Sequence, residues 1–143
     1  MKTLCFLARR FAWRAHEPNL EGVVPSDDVG ELRDVIVCFV QLESCDEGEA
    51  RASVLFKAFK HIKWLAKKRA VTNCVLHSFA HLGGVNANAD FARAFFDELD
   101  EKLTRGGYQV RQTPFGHFCE WELDVHGESL AKVWKEIRWS GTS

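Results

Sequence analysis

At 143 residues, 46% of them apolar and 27% charged with a net charge of −1, the chain excludes a disordered or low-complexity protein and a general affinity for polyanions. That length can bury about two-thirds of the unfolded surface around one core, so a single domain over residues 1–143 is expected and any nucleic-acid contact must come from a local patch. Cys5, Cys38, Cys45, Cys74 and Cys119 form an odd set without a CxxC pair, which argues against a disulfide framework or zinc ribbon and for a reducing cytoplasm. The N-terminal "MKTLCFLARRF" is too short an apolar run for a secretory signal, and no stretch approaches the ~18 apolar residues of a membrane span. An unprocessed cytoplasmic chain with no membrane contact is expected.

In chain order, "TLCFLA" (3–8) and "VIVCFVQL" (35–42) read as strands, the second continuously apolar as in a strand covered on both faces. "HEPNLEGVVPSDDVG" (16–30) reads as a loop or hairpin connection, and "FAW" (11–13) as the start of a returning strand. From about 50 to 69, Leu55, Ala58, Ile62, Leu65 and Ala66 recur at helical spacing, with Lys67, Lys68 and Arg69 complementing the helix dipole. "NCVLHSF" (73–79) is a buried strand. Phe91, Ala92, Phe95, Leu99 and Leu103 then mark a second helix capped by Asn88 and stopped at Gly106.

"YQV" (108–110) opens another strand and "TPFG" (113–116) is a turn. "HFCEWELDV" (117–125) alternates, with His117, Cys119, Trp121, Leu123 and Val125 on one face and Glu120, Glu122 and Asp124 on the other, as in a half-buried antiparallel strand. "ESLAKVWKEI" (128–137) reads as a third helix, with Leu130, Val133, Trp134 and Ile137 inward. Trp121 and Trp134 thus fall on inward faces, while Trp64 and Trp139 lie off the apolar stripes. The fold class that follows is a single α/β domain with a mixed, partly antiparallel sheet and about three helices.

Several places carry chemistry. Between Ala50 and Ala89 there are seven basic residues and no acid, which gives the first helix a basic face; it either grips phosphates, with Lys57 and Lys60 as candidates, or is a solvated surface. Arg9 and Arg10 form a second basic cluster with the same two readings. His77 and His81 are spaced as in metal-binding helices, but the pair leaves a strand for a loop, so no metal site is assigned. Cys119 with His81 or His117 would make a nucleophile pair if the fold joined them; otherwise Cys119 is an interior thiol. "HLGG" and "TPFG" both follow strands and suggest two walls of one pocket.

The pair "SFAHLGG" (78–84) and "TPFGHFCEWELDVHGESLAK" (113–132), separated by an amphipathic helix ending in "GGY" (106–108), resembles the editing domain of archaeal threonyl-tRNA synthetases. The resemblance is strongest from Asn73 to Ile137. It implies a fold like that of D-aminoacyl-tRNA deacylases, a homodimer, an aminoacyl-tRNA partner and no cofactor. The implied reaction is hydrolysis of a wrong aminoacyl ester, seryl on threonine tRNA, by main-chain groups, a bound water and the terminal ribose hydroxyl. Phe79, Ala80 and His81 match the pocket loop, with Pro114, Phe115 and Gly116 as the second wall and His117 beside it; His77 is read as structural.

Three departures accompany the match. The family's water-positioning lysine falls on Cys119, its helical glutamate on Lys132, and its polar "HSD" on "ARRF" (8–11). A charge exchange follows as a hypothesis, with Lys132 returning the ammonium from the opposite wall, so His81, Lys132 and Cys119 are the catalytic candidates. Because 143 residues leave no room for an aminoacylation core, a freestanding deacylase acting in trans is expected, with a threonyl-tRNA synthetase as a candidate partner. The alternatives are a non-catalytic module that binds an aminoacyl group, a tRNA end or a synthetase, and an unrelated metal or cysteine hydrolase.

Overall fold

The computed structural model describes residues 1–141. Six strands form one mixed sheet: β1 (Lys2–Pro18), β2 (Val29–Gln41), β3 (Asn73–Ser78), β4 (Gln109–Gln112), β5 (His117–Val125) and β6 (Lys132–Glu136). Two α-helices, α1 (Arg51–Ala66) and α2 (Ala89–Arg105), are inserted before β3 and β4, and short 3-10 turns precede α1 and β6. The spatial order is β4-β3-β2-β1-β5, with β6 also on β1. β2, β3 and β4 run parallel, while β1 is antiparallel to β2, β5 and β6. Among the described residues, no helix is long and apolar enough to cross a membrane.

Both helices lie on one face. There Cys5, Leu7, Ile36, Cys38 and Leu76 of the sheet pack against Val54, Ile62, Leu65, Phe95, Leu99 and Leu103, all nearly inaccessible. Truncating any of these large side chains to alanine would cost about 2–5 kcal/mol through lost transfer energy and the cavity left behind. α2 begins as its sequence demands: Asn88 accepts from the amides of Asp90 (2.9 Å) and Phe91 (3.4 Å), and the helix ends at Gly106. The opposite face carries no helix; Phe11, Trp13, Val37, Phe39 and Val75 form its core, fringed by Leu4, Phe6, Phe79 and Leu123.

Three expectations are corrected. The segments at 3–8 and 11–13 are one 17-residue strand rather than a strand and its return. β1 pairs with β2 from Lys2 to Arg14, absorbing a register shift against β5 between Ala8 and Arg10, so only residues 19–28 remain as the connection. The third helix is absent: residues 129–131 make a 3-10 turn and β6 follows, giving two α-helices, not three. β5 pairs with β1 only from Ala8 onward, which leaves the outer edge from Lys2 to Phe6 with unpaired amides and carbonyls; β6 satisfies them, Lys2 opposite Glu136 and Phe6 opposite Lys132. Trp134 accordingly stands opposite Leu4, 53% exposed rather than inward, and Trp121 is 43% exposed.

Candidate functional site

The C-terminal ends of β2 and β3 and the start of β5 converge on a chamber of about 390 Å³. Its first wall is the segment from His77 to His81, and its second runs from Pro114 through His117, Cys119 and Trp121. Ala89, Ala92 and Phe96 of α2 close one side, with Asn19 and Leu20 of the β1–β2 connection on another. The two glycine-ended loops are therefore walls of one cavity, as their sequence positions suggest. Among the described residues, no Lys, Arg, Asp or Glu side chain lines it.

Backbone geometry requires glycine at two loop positions. Gly116, at φ +73°, turns the chain beneath Leu20 and Val23 and its carbonyl accepts from the Asn19 amide at 2.7 Å. Gly84, at φ +71°, leaves no room for a Cβ against the Glu43 carboxylate. L side chains pay for such left-handed backbone in steric strain, so both loops keep their course only with glycine there.

The loop after β3 is held by Gln41, a residue that the sequence reading passed over. Its Oε1 accepts from the Leu82 amide at 2.8 Å and its Nε2 donates to Asn86 Oδ1 at 2.7 Å. The available signal was one polar residue ending an otherwise apolar strand. Just outside, Glu43 is buried at 3% exposure among Lys2 Nζ (2.8 Å), Arg138 (2.7 Å) and the Met1 amino group (3.2 Å). Burial alone would push this carboxyl up, but Arg138, Lys2 and the amino group outweigh it and bring it down to about 2.

His77 and His81 prove different in kind. His77 is buried in β3, shares a 2.8 Å hydrogen bond between Nδ1 and Thr113 Oγ1, and packs against Phe39 at 4.9 Å and Trp121 at 5.6 Å between ring centroids. Burial depresses its pKa to about 4, so it is neutral at pH 7. His81 is exposed on the loop, edge-on to Phe79 at 5.4 Å. The i, i+4 spacing thus spans a strand and a loop, and no group of three or more metal-ligating side chains gathers among the described residues.

On the other wall, His117 Nδ1 donates to the Phe115 carbonyl at 3.1 Å, which leaves its buried Nε2 without a partner. Nδ1 is thus committed to Phe115, and neither ring nitrogen is hydrogen-bonded to Cys119, whose half-buried thiol is raised in pKa by burial. A thiol held protonated is a poor nucleophile. The chamber thereby offers imidazole, amide and main-chain hydrogen-bonding groups beside aromatic surface.

The remaining candidates stand elsewhere. Lys132 starts β6, outside the chamber lining, with Nζ donating to the carbonyls of His126 (2.9 Å) and Gly127 (3.4 Å). Arg10 is paired with Glu31 (2.8 Å) and Glu122 (2.9 Å), and Arg9 lies 3.7 Å from Asp124. Lys57 donates to the Arg138 carbonyl at 2.6 Å and Lys60 lies over the Phe56 ring at 5.3 Å, both on the outer side of α1.

Comparison with known proteins agrees with this architecture. A solved structure, the c-Myc DNA unwinding element binding protein, superposes with a TM-score of 0.65 over 95% of this chain and 98% of its own at 11% identity, which speaks for the fold alone. The fold is the D-aminoacyl-tRNA deacylase-like one that the resemblance implied. The threonine–tRNA ligase of Thermococcus onnurineus is 32% identical over 123 residues, 86% of this chain and 20% of the ligase; that of Thermofilum pendens is 24% identical over 96% of this chain. The chain spans about a fifth of the length of these relatives. The family model described as the archaea-specific editing domain of threonyl-tRNA synthetase matches residues 1–137, and the chain belongs to that family.

Proposed function

We propose that this domain hydrolyses the ester of a mischarged aminoacyl-tRNA, seryl-tRNA for threonine or a related species. The observation that carries this reading is the uncharged chamber between the Phe79–His81 loop and the Pro114–His117 wall. An aminoacyl-adenosine end would enter it, with Phe79, Ala80, Pro114, Phe115 and Gly116 as its apolar and main-chain surroundings. The unpartnered Nε2 of His117 would accept a hydrogen bond from the bound end, and His81 would stand at the mouth. With Cys119 protonated, the attacking water must be held by main-chain groups, neutral side chains and the substrate's own ribose hydroxyl. A deacylation panel of seryl-, threonyl-, alanyl- and D-aminoacyl-tRNAs tests the reading with the 143-residue chain alone, which also tests action in trans.

The charge exchange at Lys132 requires its Nζ to leave the His126 and Gly127 carbonyls. A tRNA body would meet the face of α1 bearing Lys57 and Lys60, whose lysines have no carboxylate within 4.0 Å among the described residues, more readily than the carboxylate-paired Arg9 and Arg10. The homodimer is supported by the helix-free sheet face, where Trp134, Trp121 and Phe6 leave apolar surface open. Sedimentation across a concentration series checks it, with a synthetase as the competing partner. Cys119 and Lys132, standing where the family has a lysine and a glutamate, favour a second reading, a non-catalytic module that holds an aminoacyl-tRNA end; binding without turnover on the whole panel would establish it.

A further inference from the structure

Ten arginines occur in the chain, and nine of them lie within 4.0 Å of a carboxylate. Among the described residues, Arg93 is the one without such a partner. It stands exposed in the second turn of α2, with its guanidinium carbon 5.0 Å from the centroid of Phe115. Phe115 is a wall of the chamber and is itself backed by Phe96 at 6.2 Å. A free cation is therefore held against an aromatic wall whose cavity, among the described residues, is lined by no Lys, Arg, Asp or Glu.

That arrangement has a chemical counterpart. A guanidinium lying over an aromatic ring keeps its five N–H donors, a rigid fork, free for a phosphate. An apolar chamber admits the nucleoside ester, whose α-amino group can enter as the free base, but not the phosphodiester attached to it, which must remain at the mouth. Lys2, whose side chain lies beside Gly84 on the facing loop, is already neutralised by Glu43 at 2.8 Å. Arg93 has no such claim on it.

Resting on the deacylase reading above, we propose that Arg93 is the phosphate anchor of this site: it takes the phosphodiester adjoining the terminal nucleoside while the ester enters the chamber. The residue touches the substrate's backbone rather than the reacting atoms, so its contribution lies in binding and in selecting a nucleic-acid end over a free aminoacyl nucleoside. A bidentate charged contact of this kind is worth roughly tenfold or more in affinity.

The test compares wild type, Arg93→Ala and Arg93→Lys on seryl-tRNA and on phosphate-free seryl-adenosine. Arg93→Ala should raise KM for the tRNA roughly tenfold with kcat unchanged, and leave seryl-adenosine hydrolysis as it was; Arg93→Lys should recover part of the loss. A second measurement needs no turnover: affinity for a short RNA ending in CCA should fall in Arg93→Ala, with the salt slope of binding reduced by about 0.7, while affinity for adenosine holds. Equal losses on both substrates, or no loss on tRNA and RNA, overturn the proposal. If wild type hydrolyses neither substrate the deacylase reading falls, and the RNA measurement still decides Arg93.

Discussion

Two neighbouring pieces of the same sheet end are made from opposite materials. Gln41 and Leu42 line a chamber with no charged wall, in which His77 is held neutral; the next residue, Glu43, gathers an arginine, a lysine and an amino group around one buried carboxylate. The difference shows a division of labour. Charge is used where the backbone must be fixed, with every ion paired, and is kept out of the cavity, where an unpaired charge would bind water and blunt any selection for a neutral ester.

Breaking the charged half should have the largest effect. Glu43→Ala leaves the Lys2 ammonium without its carboxylate and strips one of two from the Met1 amino group, which keeps Asp46 at 2.8 Å, and from Arg138, which keeps Glu136 at 3.0 Å; it should cost about 3 kcal/mol of stability in urea unfolding. The loop from Phe79 to Gly84, which packs beside Glu43, should lose protection in hydrogen exchange at the same time. A fully stable variant would show that the cluster is dispensable to the chamber.

Acid sharpens the contrast, because the two halves titrate in different windows. His77 is held at about 4, below the usual 6.5, so the unfolded chain takes up that proton first and stability falls as the pH drops from 6.5 to 4. Glu43 is held at about 2, below 4.5, so its contribution is intact above pH 4.5 and disappears as the pH falls toward 2. Each window is worth about 3 kcal/mol at 1.36 kcal/mol per unit. His77→Phe should flatten the upper window and Glu43→Gln the lower; a wild-type stability flat from pH 7 to 4 would contradict the burial of a neutral His77.

Smaller effects belong to the chamber's walls. Trp121→Ala removes an aromatic surface that both lines the cavity and packs on Phe39 at 4.9 Å, and should weaken substrate binding roughly tenfold, read as KM with little change in kcat. The smallest change is expected at Lys132, whose Nζ is bound to two carbonyls on an exposed turn. Lys132→Ala should alter stability by less than about 0.5 kcal/mol. An unchanged deacylation rate in that variant removes the charge-exchange hypothesis, and a slowed rate returns Lys132 to the site.

Local patterns were readable wherever one periodicity had one solution. The α1 and α2 stripes and the Asn88 cap translate directly into structure, since each is satisfied within its own element, whereas β5 forms as a strand with Trp121 of its inward set exposed. The segment from 128 to 137 was ambiguous: Leu130, Val133, Trp134 and Ile137 fit a helix, while Ala131, Val133 and Ile137 equally fit one face of a strand. A free edge on β1, more than a hundred residues away, decided between them. Gln41 and Arg93 were missed for a related reason, because their partners Leu82, Asn86 and Phe115 are brought to them only by folding.

By itself the sequence determined the α/β class, most of the elements and the two loops that became walls, because composition, periodicity and glycine placement act over a few residues; the family it showed only through the resemblance of its two loop motifs. Tertiary structure alone decided that those loops face each other, that Cys119 and His117 do not pair, that β6 is a strand, and which cations are left without a carboxylate. These depend on what distant strands and helices leave unsatisfied, and an unpaired edge or charge exists only once the chain has closed around it.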